Sequence, residues 1–188
     1  MNKPAFTSKD NVWSDLHKDY KATDWSRKPS IFAETASTYF PKTSKVLDLG
    51  AGIGQDSRYF AEQGHEVVCT DLEEASLRES LADASDDIQQ RITVRQVDLR
   101  EELPFENESF DVVYAHLSLH YFDHETTERL QGEVQRVLKP GGVFAFFVNS
   151  VHDPEYKTGT QIEADYFLID KTAKRYFSVD TARSFARY

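Results

Sequence analysis

The string Asp48-Leu49-Gly50-Ala51-Gly52-Ile53-Gly54 holds the densest chemistry in the sequence. Alternate glycines suit a loop whose backbone takes positive φ values and approaches a ligand closely. A helix starting behind such a loop aims its unpaired N–H groups at that ligand. A dinucleotide-binding loop would set its glycines at 50, 52 and 55, yet position 55 is Gln55. Asp71 closes an apolar run and can accept both hydroxyls of a ribose, with Leu72 beside it to pack on a base; the plainer reading is a solvated turn acid. His116, His120 and His124 recur every four residues. Histidine titrates near neutral pH, so one of them, His120 by preference, suits a general base. Alternatively, the three rings merely line a loop and helix start together with Tyr121 and Phe122. The zinc-protease spacing needs Glu directly after the first His, where Leu117 stands, so no metal is expected.

Strands and helices in alternation must position these residues. Val46 to Leu49 is a short apolar run, and Asp56 to Gln63 reads as a helix with Gly64 as its left-handed terminator. Glu66 to Asp71 is a second strand, Glu74 to Gln90 is helix-like with an acidic face, Ile92 to Val97 is a third strand and Asp111 to Ala115 a fourth. Asp123 can cap a further helix in which Leu130, Val134, Val137 and Leu138 recur at helical spacing. Lys139-Pro140-Gly141-Gly142 is expected to end that helix before a fifth strand, Val143 to Val148. Runs such as DVVYA and VFAFFV are apolar without alternation, the pattern of strands covered on both faces. The expected fold class is α/β: a Rossmann-like, doubly wound, mostly parallel sheet in a three-layer sandwich, with ligands at the carboxyl ends of the strands. Residues 1–42 read as a helical lead-in or cap, with a short amphipathic helix from Asn11 to Tyr20. A second helix has Pro29 in its first turn, carries Ile31, Phe32, Thr35, Ala36 and Tyr39, and is stopped by Pro41. Residues 43–188 form the main domain.

The D-x-G-x-G-x-G string, Asp71, the stretch Val97-Asp98-Leu99, and the pair FDVVYAHLSLHYF and RVLKPGGVFAFF together resemble class I S-adenosylmethionine-dependent methyltransferases, over roughly Val46 to Asn149. The resemblance implies S-adenosyl-L-methionine as cofactor and S-adenosyl-L-homocysteine as product. It places Asp48 inside the strand holding the loop, and Gly50, Ala51, Gly52 and Gly54 beside the methionine moiety, with Gln55 opening the helix behind. Asp71 would hold the ribose, Leu72 would pack beside the adenine, and Asp98, next to Leu99, would accept from the adenine amino group. His116 and Leu117 would lie near the donor methyl. Arg58 is either a partner for the methionine carboxylate or an ordinary surface arginine. Methyl transfer is an in-line displacement that the protein assists mainly by positioning, and a base is needed only where the acceptor lacks a free lone pair. The stretch Trp25-Ser26-Arg27-Lys28-Pro29-Ser30 resembles the cap of small bacterial methyltransferases, the tellurite-resistance type among them. That likeness implies Tyr20, Trp25 and Lys28 at the pocket mouth, with Tyr121 on the substrate side; simple packing of Trp25 and a solvated Lys28 are the alternative.

Composition narrows the partners. A formal net charge of −10 and a pI near 5.0 disfavour nucleic acid, whose phosphates call for clustered Lys and Arg. The Pro-Pro-aromatic string usual in DNA amino-methylating enzymes is absent behind the fourth strand, and Cys69 is misplaced for cytosine chemistry. A small-molecule methyl acceptor is therefore expected. The single cysteine, within an apolar run, reads as buried and fits a reducing, cytoplasmic setting. No stretch approaches the ~20 apolar residues of a membrane span, and the first residues hold no apolar leader segment.

The class I fold normally has seven strands, and the last two are expected to be absent here. Residues 150–177 read instead as a substrate-side loop and hairpin (Asp165 to Asp170, turn at Lys171-Thr172-Ala173, then Lys174 to Phe177), before a helix start capped by Ser178 or Asp180. The fifth strand, with Phe144, Phe146 and Val148, would then show an apolar edge. Either the chain is a truncated form or a second copy covers that edge in a homodimer. Two competing functions stay open: a non-catalytic protein that binds S-adenosylmethionine or S-adenosylhomocysteine, and an NAD-binding oxidoreductase.

Overall fold

The computed structural model describes Trp13, His17 and residues 27–186. Five apolar runs become parallel strands: β1 (Lys45–Leu49), β2 (Glu66–Asp71), β3 (Ile92–Gln96), β4 (Phe110–His116) and β5 (Leu138–Phe147). Their order is β3-β2-β1-β4-β5, so the chain steps outward from β1 on one side and returns to build β4 and β5 on the other. Val46 pairs with Val67 on one flank and Val112 on the other. Where the order reverses, the loops behind β1 and β4 separate and leave a crevice.

Successive strand residues point to opposite faces, so an unbroken apolar run feeds two cores at once. Val46, Val67, Cys69, Val112 and Tyr114 pack with Phe60 and Leu77 on one face, which α1 (Ile31–Ser37), α2 (Gln55–Glu62) and α3 (Glu74–Leu81) cover. Leu47, Leu49, Val113 and Ala115 pack with Leu130, Val134 and Val137 on the other. A register shift between Phe110 and Val112 lets Phe110 share that second core with Val113 despite the odd spacing. The covering helix there is α5 (His124–Val137), which Asp123 caps by accepting from the Thr126 amide at 2.9 Å. Burying its Leu130, Val134 and Val137 contributes about 1.5–3 kcal/mol per side chain.

Several boundaries differ from expectation. The stretch from Glu74 to Gln90 is two helices, because Ser85 takes an extended conformation ahead of α4 (Asp86–Gln89) and donates from its hydroxyl to Asp87 at 2.6 Å. Ser30, not Pro29, opens α1: its hydroxyl accepts from Ala33 at 3.0 Å, leaving Pro29 outside the helix. Lys139 to Gly142 lie within β5 rather than ahead of it, since α5 passes into the strand at Leu138. Of the expected helix from Asn11 to Tyr20, only Trp13 and His17 are described, and both are helical.

After β5 the chain forms a separate antiparallel sheet of β6 (Thr160–Glu163), β7 (Tyr166–Ile169) and β8 (Thr172–Arg175). The hairpin turn is Asp170-Lys171, earlier than expected, with Asp170 at φ 54°. Helix α6 (Val179–Phe185) follows, capped by Ser178 in a reciprocal box with Thr181. Its Phe185 ring lies 5.8 Å from Phe144 and 5.4 Å from Phe146, so these two side chains are partly covered rather than left open. Among the described residues β5 remains the last strand of the central sheet, and Phe147 is 47% exposed.

Candidate functional site

The loop behind β1 is built to leave its backbone bare. Gly50 has φ 71°, and a Cβ there would fall 2.5 Å from Ser118 Cβ; at Gly54, with φ 78°, it would fall 2.7 Å from Leu77. Only glycine meets both conditions. Ser118 in turn donates to the Leu49 carbonyl at 2.5 Å, tying the loop behind β4 to the end of β1. Asp71 fastens the same loop from the end of β2: one carboxylate oxygen accepts from the Gly52 amide at 2.8 Å and the other from the Glu73 amide at 2.9 Å.

A cavity of about 390 Å³ opens at these strand ends. Of the residues singled out in the sequence, Asp48, Gly50, Ala51, Gly52, Gln55, Asp71, Leu72, Asp98, Leu99, His116, Leu117 and Tyr121 line it. Gly54 stands behind the wall as the residue that starts α2. Lys28 is exposed and is not part of the wall, while Tyr20 and Trp25 lie outside the described residues. Arg58 pairs with Asp83 at 2.9 Å and Glu62 at 3.4 Å and is not part of the wall.

His120 is not brought to the cavity. It is 3% exposed, packs on Tyr121 at 4.2 Å, and its Nδ1 meets no hydrogen-bond partner among the described residues. Burial, with added repulsion from Lys174 and His116, pushes its imidazolium down to about 3. Burial keeps the ring neutral and, among the described residues, outside the cavity wall.

Asp48 and Asp98 are both held by neighbours. Burial pushes the Asp48 carboxyl up to about 8, against the Ser57 hydroxyl that donates to it at 2.6 Å and with the charges of Asp56 and Asp71 adding to the rise. Asp98 takes the Arg100 guanidinium at 2.8 and 2.5 Å, and that pairing holds its carboxyl below the usual range despite partial burial. Cys69 is buried in β2, where burial raises its thiol to about 12. Gln55 Oε1 is buried at the cavity with no hydrogen-bond partner among the described residues.

Sequence reasoning missed one heavily bonded group in the wall. Asp56, 5% exposed, accepts from the Ser30 amide at 2.7 Å, the Ser30 hydroxyl at 2.8 Å and the Tyr114 hydroxyl at 2.7 Å, and faces His116 Nδ1 at 3.3 Å. An acid in the first turn of a helix reads by default as a dipole-compensating surface residue. The available signal was helical spacing, which puts Asp56 on the same buried face as Phe60. Trp13 and His17 also line the cavity, with Trp13 edge-on to Tyr121 at 4.7 Å.

A family model described as "Methyltransferase domain" matches residues 46–142, just over half of the chain. Phosphoethanolamine N-methyltransferase 1 of Triticum aestivum is 33% identical over 138 residues, covering 72% of this chain and 27% of that protein. Sarcosine/dimethylglycine N-methyltransferase of Aphanothece halophytica is 36% identical over 109 residues, 57% of this chain and 38% of that one. The chain thus spans well under half the length of these relatives. Among solved structures, the 1,6-didemethyltoxoflavin N1-methyltransferase of Burkholderia thailandensis, with bound 1,6-didemethyltoxoflavin and S-adenosylhomocysteine, shares the fold: TM-score 0.70 at 22% identity, over 94% of this chain and 74% of that one. A glycopeptide N-methyltransferase complexed with sinefungin is 29% identical with a TM-score of 0.56, over 63% of this chain and 53% of that one.

Proposed function

Because the chain belongs to the methyltransferase-domain family, we propose that it transfers a methyl group from S-adenosylmethionine to a small-molecule acceptor by in-line displacement. The observation that carries this reading is the wall of the cavity: a glycine loop with bare backbone, tied down by Asp71, opening on a space of about 390 Å³. These residues fit a sulfonium nucleoside. Gln55 Oε1 is buried without a partner among the described residues and offers an acceptor to the amino-acid end. Leu72 and Leu99 supply an apolar slot for a base, with Asp98 beside it as an acceptor. Asp71 keeps acceptor capacity for ribose hydroxyls, because a carboxylate has about four lone-pair sites and two amides use one each. Asp48 holds the strand end, and His116 and Leu117 face the reacting end.

When bound, the cofactor supplies an electrophilic methyl on a positively charged sulfur. The chain's share is to orient it, to exclude water and to present the acceptor. Residues 1–42 act as the cap in this reading, since Trp13 and His17 reach the cavity from that segment, and residues 43–188 form the catalytic domain with 150–177 on the substrate side. The acidic net charge of −10 supports a small acceptor rather than nucleic acid. Among the described residues no helix is long and apolar enough to cross a membrane, and a cytoplasmic enzyme is the setting we propose. The outer edge of β5 is the place where a second copy would pair.

Two measurements test the reading. Asp71→Ala weakens S-adenosylhomocysteine binding by about 1–3 kcal/mol, through lost charge-assisted hydrogen bonds and a loosened loop. A panel of small amines, thiols, phenols and chalcogen oxyanions is expected to contain an acceptor that drives S-adenosylhomocysteine formation. Unchanged binding by the variant contradicts the site, and intact binding with no turnover across the panel favours a non-catalytic binder.

A further inference from the structure

Asp56 gathers three residues from two elements: Ser30 at the head of α1, Tyr114 from the middle of β4, and His116 from its end. We propose that Asp56 holds His116 as the proton acceptor of the methyl transfer, and that the acceptor molecule is accordingly an uncharged ring hydroxyl or ring N–H. The proposal rests on the methyltransferase reading above.

The geometry assigns the ring's two nitrogens. His116 Nδ1 lies 3.3 Å from Asp56 Oδ2, and an ionised carboxylate can only accept, so Nδ1 carries the proton and Nε2 keeps its lone pair. Asp56 stays ionised: burial pushes its carboxyl up, but the His116 ring beside it and the hydrogen bonds from Ser30 and Tyr114 together outweigh burial and hold it below the usual range. Tyr114 does not compete for the proton, because burial and the Asp56 charge push its phenol far up. The imidazole is flanked by Phe32 at 5.8 Å and Phe147 at 5.6 Å, which limits its rotation. His116 lines the cavity and His120 does not.

The surroundings select the acceptor. Trp13, Tyr121 and Phe122 line the same cavity, which suits a flat ring. An anionic group on the acceptor would lie near the Asp56 carboxylate, and the guanidinium among the described lining residues, Arg100, is bound to Asp98. In the reaction His116 Nε2 takes the proton from the acceptor's O–H or N–H, and the freed lone pair forms the new bond to the methyl carbon. The sulfur–carbon bond breaks with its electron pair staying on sulfur, which becomes a neutral thioether. The imidazolium then releases its proton to water, so one proton leaves per methyl transferred.

Nitrogen-15 NMR of the histidine rings tests this on the protein alone and loaded with S-adenosylhomocysteine. His116 is expected as the Nδ1–H tautomer, and Asp56→Asn is expected to populate the Nε2–H form, as losing the carboxylate partner does in a Ser-His-Asp triad. With p-cresol as acceptor, Asp56→Asn should lower kcat by ~100-fold or more while KM stays within about threefold. In the loaded protein p-cresol should shift the His116 Nε2 resonance and phosphoethanolamine should not. An Nε2–H tautomer in the unaltered protein overturns the proposal even if the variant fails to fold. So does a shift caused by phosphoethanolamine and not by p-cresol. Failure to bind S-adenosylhomocysteine at all would instead count against the methyltransferase reading, leaving the tautomer measurement to judge the Asp56–His116 pair separately.

Discussion

Asp48 makes the stability of this protein depend on pH in a direction opposite to that of a salt-bridged acid. Its carboxyl lies at about 8 in the fold, against 3.8 ordinarily, so the folded chain holds a proton that the unfolded chain gives up. Stability from this group is present below pH ~4 and falls as pH rises towards 8, by at most about 1.4 kcal/mol per pH unit. Asp48→Asn removes that slope, and its melting temperature should gain on the unaltered protein between pH 5 and 8; parallel curves would refute the assignment. Gly50→Ala should cost about 1–3 kcal/mol from φ 71° alone, before the 2.5 Å clash with Ser118, and urea denaturation reads the loss. The glycine positions were legible in the sequence because three alternate glycines mark a loop of positive φ, a backbone that strains most other residues. Asp56 was not, because its partners Ser30 and Tyr114 are 26 and 58 residues away and nothing local signals their meeting.

The small antiparallel sheet braces the turn that carries the cavity's aromatic residues. The Tyr166 hydroxyl donates to the Tyr121 carbonyl at 2.9 Å, and Arg175 Nε donates to the Phe122 carbonyl at 3.0 Å while its other end pairs with Glu163 at 2.7 Å. Arg175→Met should therefore cost about 2–3 kcal/mol, and faster amide exchange should appear across Leu119 to Phe122 before the central strands are affected. Exchange confined to β6 and β8 would show that the sheet does not brace the turn. The hairpin was legible from the apolar run Tyr166–Ile169, although its turn fell earlier than expected, whereas β6, Thr-Gln-Ile-Glu, is too short and polar to announce itself. The split between α3 and α4 was missed for a different reason: Ser85-Asp86-Asp87 is a helix-start signal, read instead as part of the acidic face of one helix.

The order β3-β2-β1-β4-β5 brings the cavity residues from Asp48 to His116 to the carboxyl end of the sheet, while Lys139 to Gly142 lie at the opposite end. That much followed from the alternation of strands and helices, since right-handed crossovers leave few arrangements. What covers β5 did not follow, because α6 reaches Phe144 and Phe146 through Phe185, a contact that no local pattern encodes. The backbone edge of β5 and the exposed Phe147 underlie the proposed pairing of two copies, for which sedimentation should show a dimer at micromolar concentration; a monomer there would exclude it. The central claim concerns the glycine loop and the cavity it borders. Titration calorimetry on the unaltered protein tests it most directly: S-adenosylhomocysteine should bind at a single site, with no heat from NAD at the same concentration. Equal binding of NAD, or no binding of S-adenosylhomocysteine, would contradict the account.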